Sequence, residues 1–395
     1  MVEREVIRRI IIEGQEFVNE ISLTERPFFF EQKGNYVFVG IRQAGKSYLL
    51  YQRIQQLLRE EHNINEIVYI NFDDERLRQM TADDLDLILQ AYHSLFDLRP
   101  LLFFDEIQNI EGWEHFARRL ANQKYNIYIT GSNAKMLSRE IATTLGGRFW
   151  NKDVYPYSFA EYLNARNIIL SKNWMYGKQA AEVSKAFNDY FLYGGFPELT
   201  DVIAKRVWLN DIYSKIFFSD LIVRNKVRNE EALGLLVRRL AENVKQPISY
   251  TRLANLISSI GIKISKATVI EFIRYLKESC LIFPIENYAA KFAERNSNMK
   301  HYFIDNGLLS IFLLDGNTSL LENIVAIHLY KRYGAQLYFY NQNIEVDFII
   351  PEAKTAIQVS YSLMDETTCR REVEGLIKLN RVFPMDNMCI ITRDE

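Results

Sequence analysis

The chain has little cysteine, little proline and no excess charge of either sign. Its 395 residues include 3 cysteines, 8 prolines, and 48 Lys and Arg against 50 Asp and Glu. Three scattered cysteines without CxxC spacing or a histidine cluster exclude a disulfide framework and a cysteine zinc site, and they favour a reducing cytoplasm. The balanced charge excludes a chain that nucleic acid attracts as a whole, so any such contact requires a local basic patch.

The sequence also lacks a long apolar run. No run reaches the roughly 18 residues that a membrane-spanning helix needs, so we expect no membrane partner. Residues 1–12 mix charges with apolar positions and have no small-residue cleavage site, which predicts an amphipathic helix rather than a signal peptide. A hydrophobic content of 48% and a charged content of 25% are typical of folded proteins and exclude a largely disordered chain.

Strands and helices alternate along the first third of the chain. Apolar runs predict strands at residues 36–39, 67–72, 101–104 and 126–130, and helical periodicity predicts helices at 47–61, 85–95 and 113–121. Continuous apolar strands separated by helices predict a parallel sheet that is covered on both faces.

A glycine-rich loop follows the first predicted strand. Residues 40–47, Gly-Ile-Arg-Gln-Ala-Gly-Lys-Ser, fit the phosphate-binding pattern G-x-x-x-x-G-K-[ST] at every fixed position. The glycines let backbone N–H groups face phosphate oxygens, the following helix N-terminus adds partial positive charge, and the lysine reaches the β- and γ-phosphates. The predicted cofactor-binding residues are Gly40, Arg42, Gln43, Ala44, Gly45, Lys46 and Ser47, of which Ser47 also binds Mg²⁺.

Two adjacent carboxylates end the third predicted strand. Asp105 and Glu106 follow residues 101–104, at the strand end where ligands bind in such sheets. We predict that Asp105 binds the magnesium shell, and that Glu106 acts as the catalytic base on the water that attacks the γ-phosphate. The predicted cofactors are ATP and Mg²⁺. ATP is preferred to GTP because residues 151–153 do not have the spacing of a guanine-reading Asn-Lys-x-Asp tetrad.

Three further residues are candidates with an open alternative. Ser132 and Asn133 follow the fourth predicted strand and can contact the γ-phosphate or hold the water if that strand lies beside the carboxylate strand; an ordinary turn would use the same residues. Arg148 can bring a guanidinium to the transferring phosphate, within this chain or across subunits, and an ordinary surface arginine is the alternative. We predict catalytic roles for Glu106, Asn133 and Arg148, and nucleotide binding for Ser132.

A run of motifs resembles a known family. GIRQAGKSYLL, YINFDDERL, LLFFDEIQNIEGWE, ITGSNAKML and LGGRF resemble, in this order, the AAA+-type P-loop ATPases of bacteria and archaea (AAA_14-like) that carry a C-terminal domain of unknown function. The resemblance covers nearly the whole chain. It implies the nucleotide and magnesium roles of Lys46 and Ser47, the carboxylate pair, and a sensor position at Ser132 and Asn133. Residues 193–197 also match a family segment, to which the sequence assigns no role.

The second half turns helical and then returns to strands. Helices predicted at 159–164, 179–193 and 207–224 form a lid or linker, and a helix-turn-helix pattern, with Ser265 as the N-cap of its second helix, predicts a winged helix. That second helix carries Lys266, Arg274 and Lys277, which suits DNA phosphates; contact with a protein partner or simple packing is an equal alternative.

The last hundred residues resemble the restriction-endonuclease-like fold. Glu322 and Asp347 match the first two positions of its metal site, but Gln358 stands in the segment where Glu-x-Lys is required, so the resemblance implies the loss of one carboxylate and of the lysine. Glu345 can stand in as a carboxylate. We therefore predict a degenerate site kept for contact with nucleic acid or protein, and a metal-dependent nuclease gated by the ATPase is the alternative.

Together these patterns predict an α/β protein with a P-loop NTPase parallel sheet at residues 35–157. An N-terminal helix and lead-in (1–34) precede it, and a helical lid (158–235), a winged helix (236–295) and an α/β nuclease-like domain (296–395) follow. The predicted protein is a cytoplasmic ATPase that uses Mg·ATP hydrolysis to rearrange C-terminal domains contacting DNA, a protein partner or a second copy. A nucleotide-bound scaffold with negligible turnover is the alternative.

Overall fold

The computed structural model describes residues 2–31, 33–137, 139–295 and 297–393. Helices and parallel strands alternate, which confirms the α/β class. The chain divides into two compact units, Met1–Pro156 and Tyr157–Glu395. Within the described part of the chain, no helix combines the length and the apolar character needed to cross a membrane. The finer domain boundaries and the cytoplasmic location stay predictions.

The first unit is built from five strands and five helices. The strands are β1 (Asn35–Val39), β2 (Ile67–Asn71), β3 (Leu101–Asp105), β4 (Asn126–Gly131) and β5 (Phe149–Asp153), and the helices are α1 (Arg4–Glu20), α2 (Lys46–Arg59), α3 (Asp86–His93), α4 (Trp113–Asn122) and α5 (Arg139–Leu145). Helix α1 is longer than predicted and packs on β2, where the Gln15 side-chain amide donates to the Ile67 carbonyl at 2.8 Å.

The strands of this unit form one parallel sheet in the order β2-β3-β4-β1-β5. Its central strands are mostly apolar and buried, as the continuous runs predict. Because all five strands run the same way, the carboxyl ends of β1, β3 and β4 lie at one edge, with β4 between the other two. The sequence patterns did not predict β5, because Phe149–Asp153 is largely polar and exposed.

The second unit contains ten helices and seven strands among its described residues. The helices are α6 (Phe159–Ala165), α7 (Gln179–Tyr193), α8 (Lys205–Lys215), α9 (Glu230–Glu242), α10 (Tyr250–Ser258), α11 (Lys266–Glu278), α12 (Phe292–Arg295), α13 (Asn306–Ser310), α14 (Asn317–Tyr333) and α15 (Glu366–Val382). Helix α8 continues into a π-helical segment at Ile216–Val223.

The strands of the second unit are β6 (Ile248–Ser249), β7 (Ile282–Asn287), β8 (Asn298–Phe303), β9 (Tyr338–Asn341), β10 (Glu345–Ile350), β11 (Thr355–Val359) and β12 (Asn387–Ile391). They form one mixed sheet in the order β12-β11-β10-β9-β7-β8-β6. Strands β7 and β8 pair antiparallel although the predicted boundary at 295/296 falls between them, and β7 pairs parallel with β9. One sheet therefore runs through both of the predicted C-terminal domains.

Residues 193–197, which had no assigned role, form a close packing point in this unit. The Gly195 N–H donates to the Asp305 carboxylate at 2.7 Å, and Asp305 also caps the N-terminus of α13. Gly194 has a φ of +77°, and a Cβ there would lie 2.1 Å from an Asp305 carboxylate oxygen. This segment requires glycine because the helix cap approaches the backbone directly.

Candidate functional site

The glycine-rich loop closes tightly between β1 and α2. Gln43 and Gly45 have positive φ angles of 60° and 90°, and Gly45 is the N-cap residue of α2. A Cβ at Gly40 would lie only 2.0 Å from the backbone oxygen of Val154. Glycine is therefore required at the first position of the motif by a neighbouring backbone, and at Gly45 by the left-handed conformation.

Lys46 links the loop to the carboxylate strand. Its ammonium is buried and donates to the carbonyl oxygens of Gly40 and Ile41 at 3.2 and 3.1 Å. The same ammonium lies 3.6 Å from Oε1 of Glu106, at the end of β3. The structure thus brings together the two motifs that the sequence predicted separately, although β4 lies between their strands.

Asp105 is the most buried acid of this site, at 1% exposure. Its carboxylate accepts hydrogen bonds from the hydroxyls of Tyr69 at 2.8 Å, of Thr130, and of Ser47. Burial raises the pKa of Asp105, and the neighbouring Glu106 carboxylate raises it further, while these three hydroxyls oppose the rise. Tyr69 lies inside an apolar strand and Thr130 at the end of another, and the sequence assigned neither of them a role of its own.

Glu106 is held from three sides. Its backbone is left-handed, with a φ of 52°, and its N–H donates to the Thr130 hydroxyl at 2.9 Å. The side-chain amide of Gln108 donates to the Glu106 carboxylate. Burial alone would raise the pKa of Glu106, but Lys46 and the hydrogen bonds from Gln108 and Ser132 outweigh it and leave the pKa below its usual range. This carboxylate is therefore ionised and able to accept a proton.

Ser132 and Asn133 follow β4 directly, and β4 pairs with β3, which was the condition set for their role. Ser132 is buried, and its hydroxyl accepts a hydrogen bond from the Gln108 amide at 3.3 Å. Asn133 is half-buried next to it. The structure therefore places Ser132 beside the Glu106 carboxylate, while contact of either residue with phosphate stays a prediction.

Arg148 is not brought to the phosphate loop of its own chain. It lies at the amino end of β5, where its carbonyl accepts a hydrogen bond from Asn35 at the start of β1. The loop at Gly40 begins at the other end of β1, about 16 Å away for a five-residue strand. Arg148 therefore lies at the opposite edge of the sheet from the loop, and its catalytic role, within the chain or across subunits, stays a prediction.

Arg26 supports the loop and was missed by the sequence patterns. It is 8% exposed, and its guanidinium donates to the Ala44 carbonyl at 3.1 Å and to the Tyr155 carbonyl at 3.0 Å. The side chain of Gln52 in turn bonds both backbone groups of Arg26. No sequence motif includes Arg26, because its contacts are with residues that are distant in the sequence, Ala44 and Tyr155.

The donor set at the end of β3 fits a magnesium ion. The hydroxyl of Ser47 and the carboxylate of Asp105 are hydrogen-bonded to each other, so two hard oxygen donors lie side by side. Mg²⁺ prefers such oxygens and keeps several waters when it bridges a protein and a phosphate. These two residues would hold the ion, directly or through water.

In the second unit, a buried lysine joins the acids that the nuclease-like resemblance singled out. Lys300 is fully buried on β8, and its ammonium lies 3.1 Å from Glu322, 3.2 Å from Asp347 and 3.7 Å from Glu345. Register shifts in β10 between Val346 and Ile349 mark an irregularity around Asp347. The lysine of the Glu-x-Lys motif is absent, since residue 360 is a serine, and Lys300 supplies an ammonium from a different strand.

Gln358 acts as a structural link in this cluster. Its side-chain oxygen accepts from the Asp347 N–H at 2.9 Å, and its amide nitrogen donates to the Glu345 carbonyl at 3.1 Å. Burial raises the pKa of Glu322 to about 7, an effect that Lys300 opposes. Among the described residues, no group of three or more metal-ligating side chains could hold an ion. The Lys300 ammonium takes the central position among these acids, so they do not fit the metal that the nuclease alternative would require.

A cavity of about 760 Å³ opens beside this ion cluster. Its wall includes Arg370, Arg371 and Lys378 of α15 in addition to the acids of the cluster. On α11, Lys266, Arg274 and Lys277 are all exposed, and Ser265 caps the helix as predicted by accepting from the Thr268 N–H at 3.1 Å. The charge of Arg274 is partly offset by Glu271 at 3.7 Å.

Comparison with known proteins gives two family matches and several relatives. Residues 32–163 match the family model of an AAA domain, and residues 184–319 match that of a domain of unknown function, DUF8612. The uncharacterized protein MJ1544 of Methanocaldococcus jannaschii is 32% identical over 400 residues, which cover 98% of this chain and 89% of that protein. An uncharacterized protein of Haemophilus influenzae is 30% identical over 354 residues, covering 87% of this chain and 86% of the relative.

Among solved structures, the Walker-type ATPase paby2304 of Pyrococcus abyssi is similar at 14% identity with a TM-score of 0.45. The match covers 79% of this chain and 96% of that one. The match to the AAA domain confirms the AAA-type part of the resemblance. The winged helix and the nuclease-like fold are not named by these comparisons and stay predictions.

Proposed function

The chain belongs to the same protein family as MJ1544 of Methanocaldococcus jannaschii and carries an AAA domain, and on that premise we propose that it binds and hydrolyses Mg·ATP. The triphosphate lies on the loop between β1 and α2. The observation that carries the proposal is the position of the Lys46 ammonium, 3.6 Å from the Glu106 carboxylate and bonded to the loop's own carbonyls.

The charge of the Lys46 ammonium is only partly compensated in this structure, and a bound triphosphate would provide a better partner for it. A buried ammonium is costly unless it is paired, and here two neutral carbonyls and one longer contact to Glu106 share it. Phosphate oxygens beside Gly40 and Gly45 are the stronger acceptors, because charge-assisted hydrogen bonds are about twice as strong as neutral ones. Movement of Lys46 to the phosphates also removes it from Glu106.

Glu106 then accepts a proton from the water that attacks the γ-phosphate. Its position next to the loop suits a general base, and the departure of Lys46 removes the largest of the contacts that lower its pKa. Mg²⁺, held by Ser47 and Asp105, supplies charge neutralisation for the β- and γ-phosphates. Hydrolysis removes the γ-phosphate contacts, and we propose that this loss changes the arrangement of the C-terminal part of the chain.

The first experiment is a titration of a fluorescent ATP analogue into wild type, Lys46→Ala and Lys33→Ala. Loss of the charge-assisted phosphate contact predicts an affinity about 10- to 100-fold lower for Lys46→Ala. Lys33 is an exposed lysine before β1, so its variant serves as the matched control and should bind like the wild type. Equal affinity of all three proteins contradicts the proposal.

Turnover separates an ATPase from a nucleotide-bound scaffold. Glu106→Gln keeps the shape of the side chain but removes the base, so we expect normal binding of the analogue and a kcat about 10²- to 10⁴-fold lower. A wild type that binds Mg·ATP but releases no phosphate would support the scaffold instead.

For the second unit we propose contact with DNA through α11, and a partner-binding rather than a nuclease role for the cavity beside Lys300. The exposed cations of α11 support the first part, and the ammonium at the centre of the acidic cluster supports the second. DNA binding should weaken steeply with salt and with Lys266→Ala plus Lys277→Ala. Cleavage of plasmid DNA in Mg²⁺ or Mn²⁺, abolished by Asp347→Ala, would overturn the second part.

A further inference from the structure

Gln108 contacts the catalytic carboxylate although no motif position or comparison assigns it a role. It lies two residues after Glu106, on a short 3₁₀ turn at Ile107–Asn109. The turn is anchored on both sides of Gln108, because Ile107 is fully buried and the Asn109 amide donates to the Phe72 carbonyl at 3.2 Å. The Gln108 side chain therefore starts from a fixed backbone.

The orientation of the Gln108 amide is determined by its partners. The amide nitrogen of Gln108 donates to Oε2 of Glu106 and also to the Ser132 hydroxyl at 3.3 Å, so this nitrogen faces the carboxylate. The amide oxygen is then directed toward Gly131. A Cβ at Gly131 would lie 2.6 Å from that oxygen, so the glycine leaves the space that the amide occupies.

The amide oxygen of Gln108 is left unsatisfied in this arrangement. It is buried and has no hydrogen-bond donor within the described part of the chain. A buried acceptor without a donor costs about 1–3 kcal/mol. An unsatisfied buried oxygen in a folded protein needs an explanation. Here the explanation is that the amide nitrogen of the same side chain makes a contact that serves catalysis.

The two oxygens of Glu106 have different partners. Gln108 holds Oε2, whereas Lys46 lies 3.6 Å from Oε1. This inference rests on the proposed function, in which Lys46 moves to the phosphates and so frees Oε1 of Glu106. We infer that Gln108 is a positioning residue that keeps Oε2 fixed, so that the freed Oε1 points at the attacking water. Without the Gln108 amide, the Glu106 carboxylate rotates about its terminal bonds.

The test compares Gln108→Met with Gln123→Met in the full chain. Methionine keeps the length and volume of Gln108 and removes its hydrogen-bonding groups, and Gln123 is an exposed residue just after α4. Because misplacement of a catalytic group by about 1 Å can cost 10²-fold, we expect kcat of Gln108→Met to fall about 10- to 100-fold. KM and the affinity for the ATP analogue should stay within twofold of the wild type, as should all values for Gln123→Met.

A second readout is independent of turnover. Binding of ADP with aluminium fluoride, which mimics the transferring phosphate with its water in place, should weaken by the same factor as kcat. Binding of ADP with beryllium fluoride, which mimics the ground state, should not change. A residue with only a structural role would weaken both analogues together.

A double variant tests whether Gln108 acts through Glu106. In the presence of Glu106→Gln, the change Gln108→Met should cause no further loss of kcat, since positioning a base that is absent has no effect. Gln108→Glu, which replaces the donor with an acceptor of the same shape, gives the same expected loss of kcat if Gln108→Met does not fold.

The outcomes separate this inference from the proposed function. If the wild type binds no Mg·ATP, both the proposed function and the inference about Gln108 are wrong. If the wild type hydrolyses ATP and Gln108→Met has an unchanged or higher kcat, or loses kcat and affinity in parallel, the inference alone is overturned.

Discussion

Lys300→Met should strongly destabilise the second unit. The ammonium of Lys300 is fully buried and lies within 3.2 Å of both Glu322 and Asp347. Methionine has a similar length but no charge, so the variant leaves the buried Glu322 and the partly buried Asp347 without a cation. Removing one partner of a buried ion pair typically costs about 3–5 kcal/mol, which we expect here.

Local hydrogen exchange measures this loss better than a global melting curve, because a chain with two units need not unfold in one step. Peptides from α14 and β10 contain the partner acids and should open more readily. A loss of 3–5 kcal/mol corresponds to an opening constant roughly 150- to 5,000-fold larger. Peptides from β1 and β3, in the first unit, should be unaffected.

Two variants control for the charge itself. Lys378→Met removes an exposed lysine of α15 that pairs with Glu374 at 3.0 Å, and such surface pairs contribute at most about 1 kcal/mol. Lys300→Met combined with Glu322→Gln should recover part of the loss, because one of the unpaired charges is gone. If Lys300→Met exchanges like Lys378→Met, the cluster does not stabilise the unit and our reasoning is refuted.

Three further predictions concern other buried polar groups. His301→Leu should remove an acid sensitivity. Burial lowers the pKa of His301 to about 4, so between about pH 6.5 and pH 4 the unfolded chain binds a proton that the folded chain does not. From pH 7.5 to 5, hydrogen exchange should therefore show that the second unit of the wild type loses about 2 kcal/mol more stability than that of the variant, and equal losses would contradict this. Asp305→Ala leaves the N–H groups of Gly195 and Gly307 without their acceptor and should destabilise the second unit by about 2–4 kcal/mol, measured by hydrogen exchange; unchanged protection would contradict this. Arg26→Met should weaken binding of the ATP analogue about tenfold, whereas the exposed control Arg59→Met should not, and equal affinities would argue against loop support.

The parts of the fold and site that could be predicted from the sequence are those whose information is local. The phosphate loop, β1 and β3 are contiguous runs in which residue type and spacing determine the structure. Asp105 and Glu106 could be placed at a strand end for the same reason. The sequence could not show whether β4 lies beside β3, on which the predicted roles of Ser132 and Asn133 depend. The structure shows that these two strands are paired.

The missing parts depend on contacts between distant segments. Strand β5 has no apolar run and becomes a strand by pairing with β1, and that pairing also carries Arg148 to the far edge of the sheet. Lys300 lies 22 residues from Glu322 and 47 residues from Asp347, so no spacing rule could connect them. Gln108 lies beside Glu106 in the sequence, but only the buried, unsatisfied amide oxygen distinguishes it from an ordinary turn residue.

The most direct test of the proposed function is phosphate release measured side by side for wild type and Glu106→Gln in saturating Mg·ATP, with binding of the ATP analogue recorded for both. We predict that both proteins bind the nucleotide and that only the wild type turns it over. Equal turnover by the two proteins, or no binding by either, would contradict the assignment of the loop and the carboxylate pair as one ATPase site.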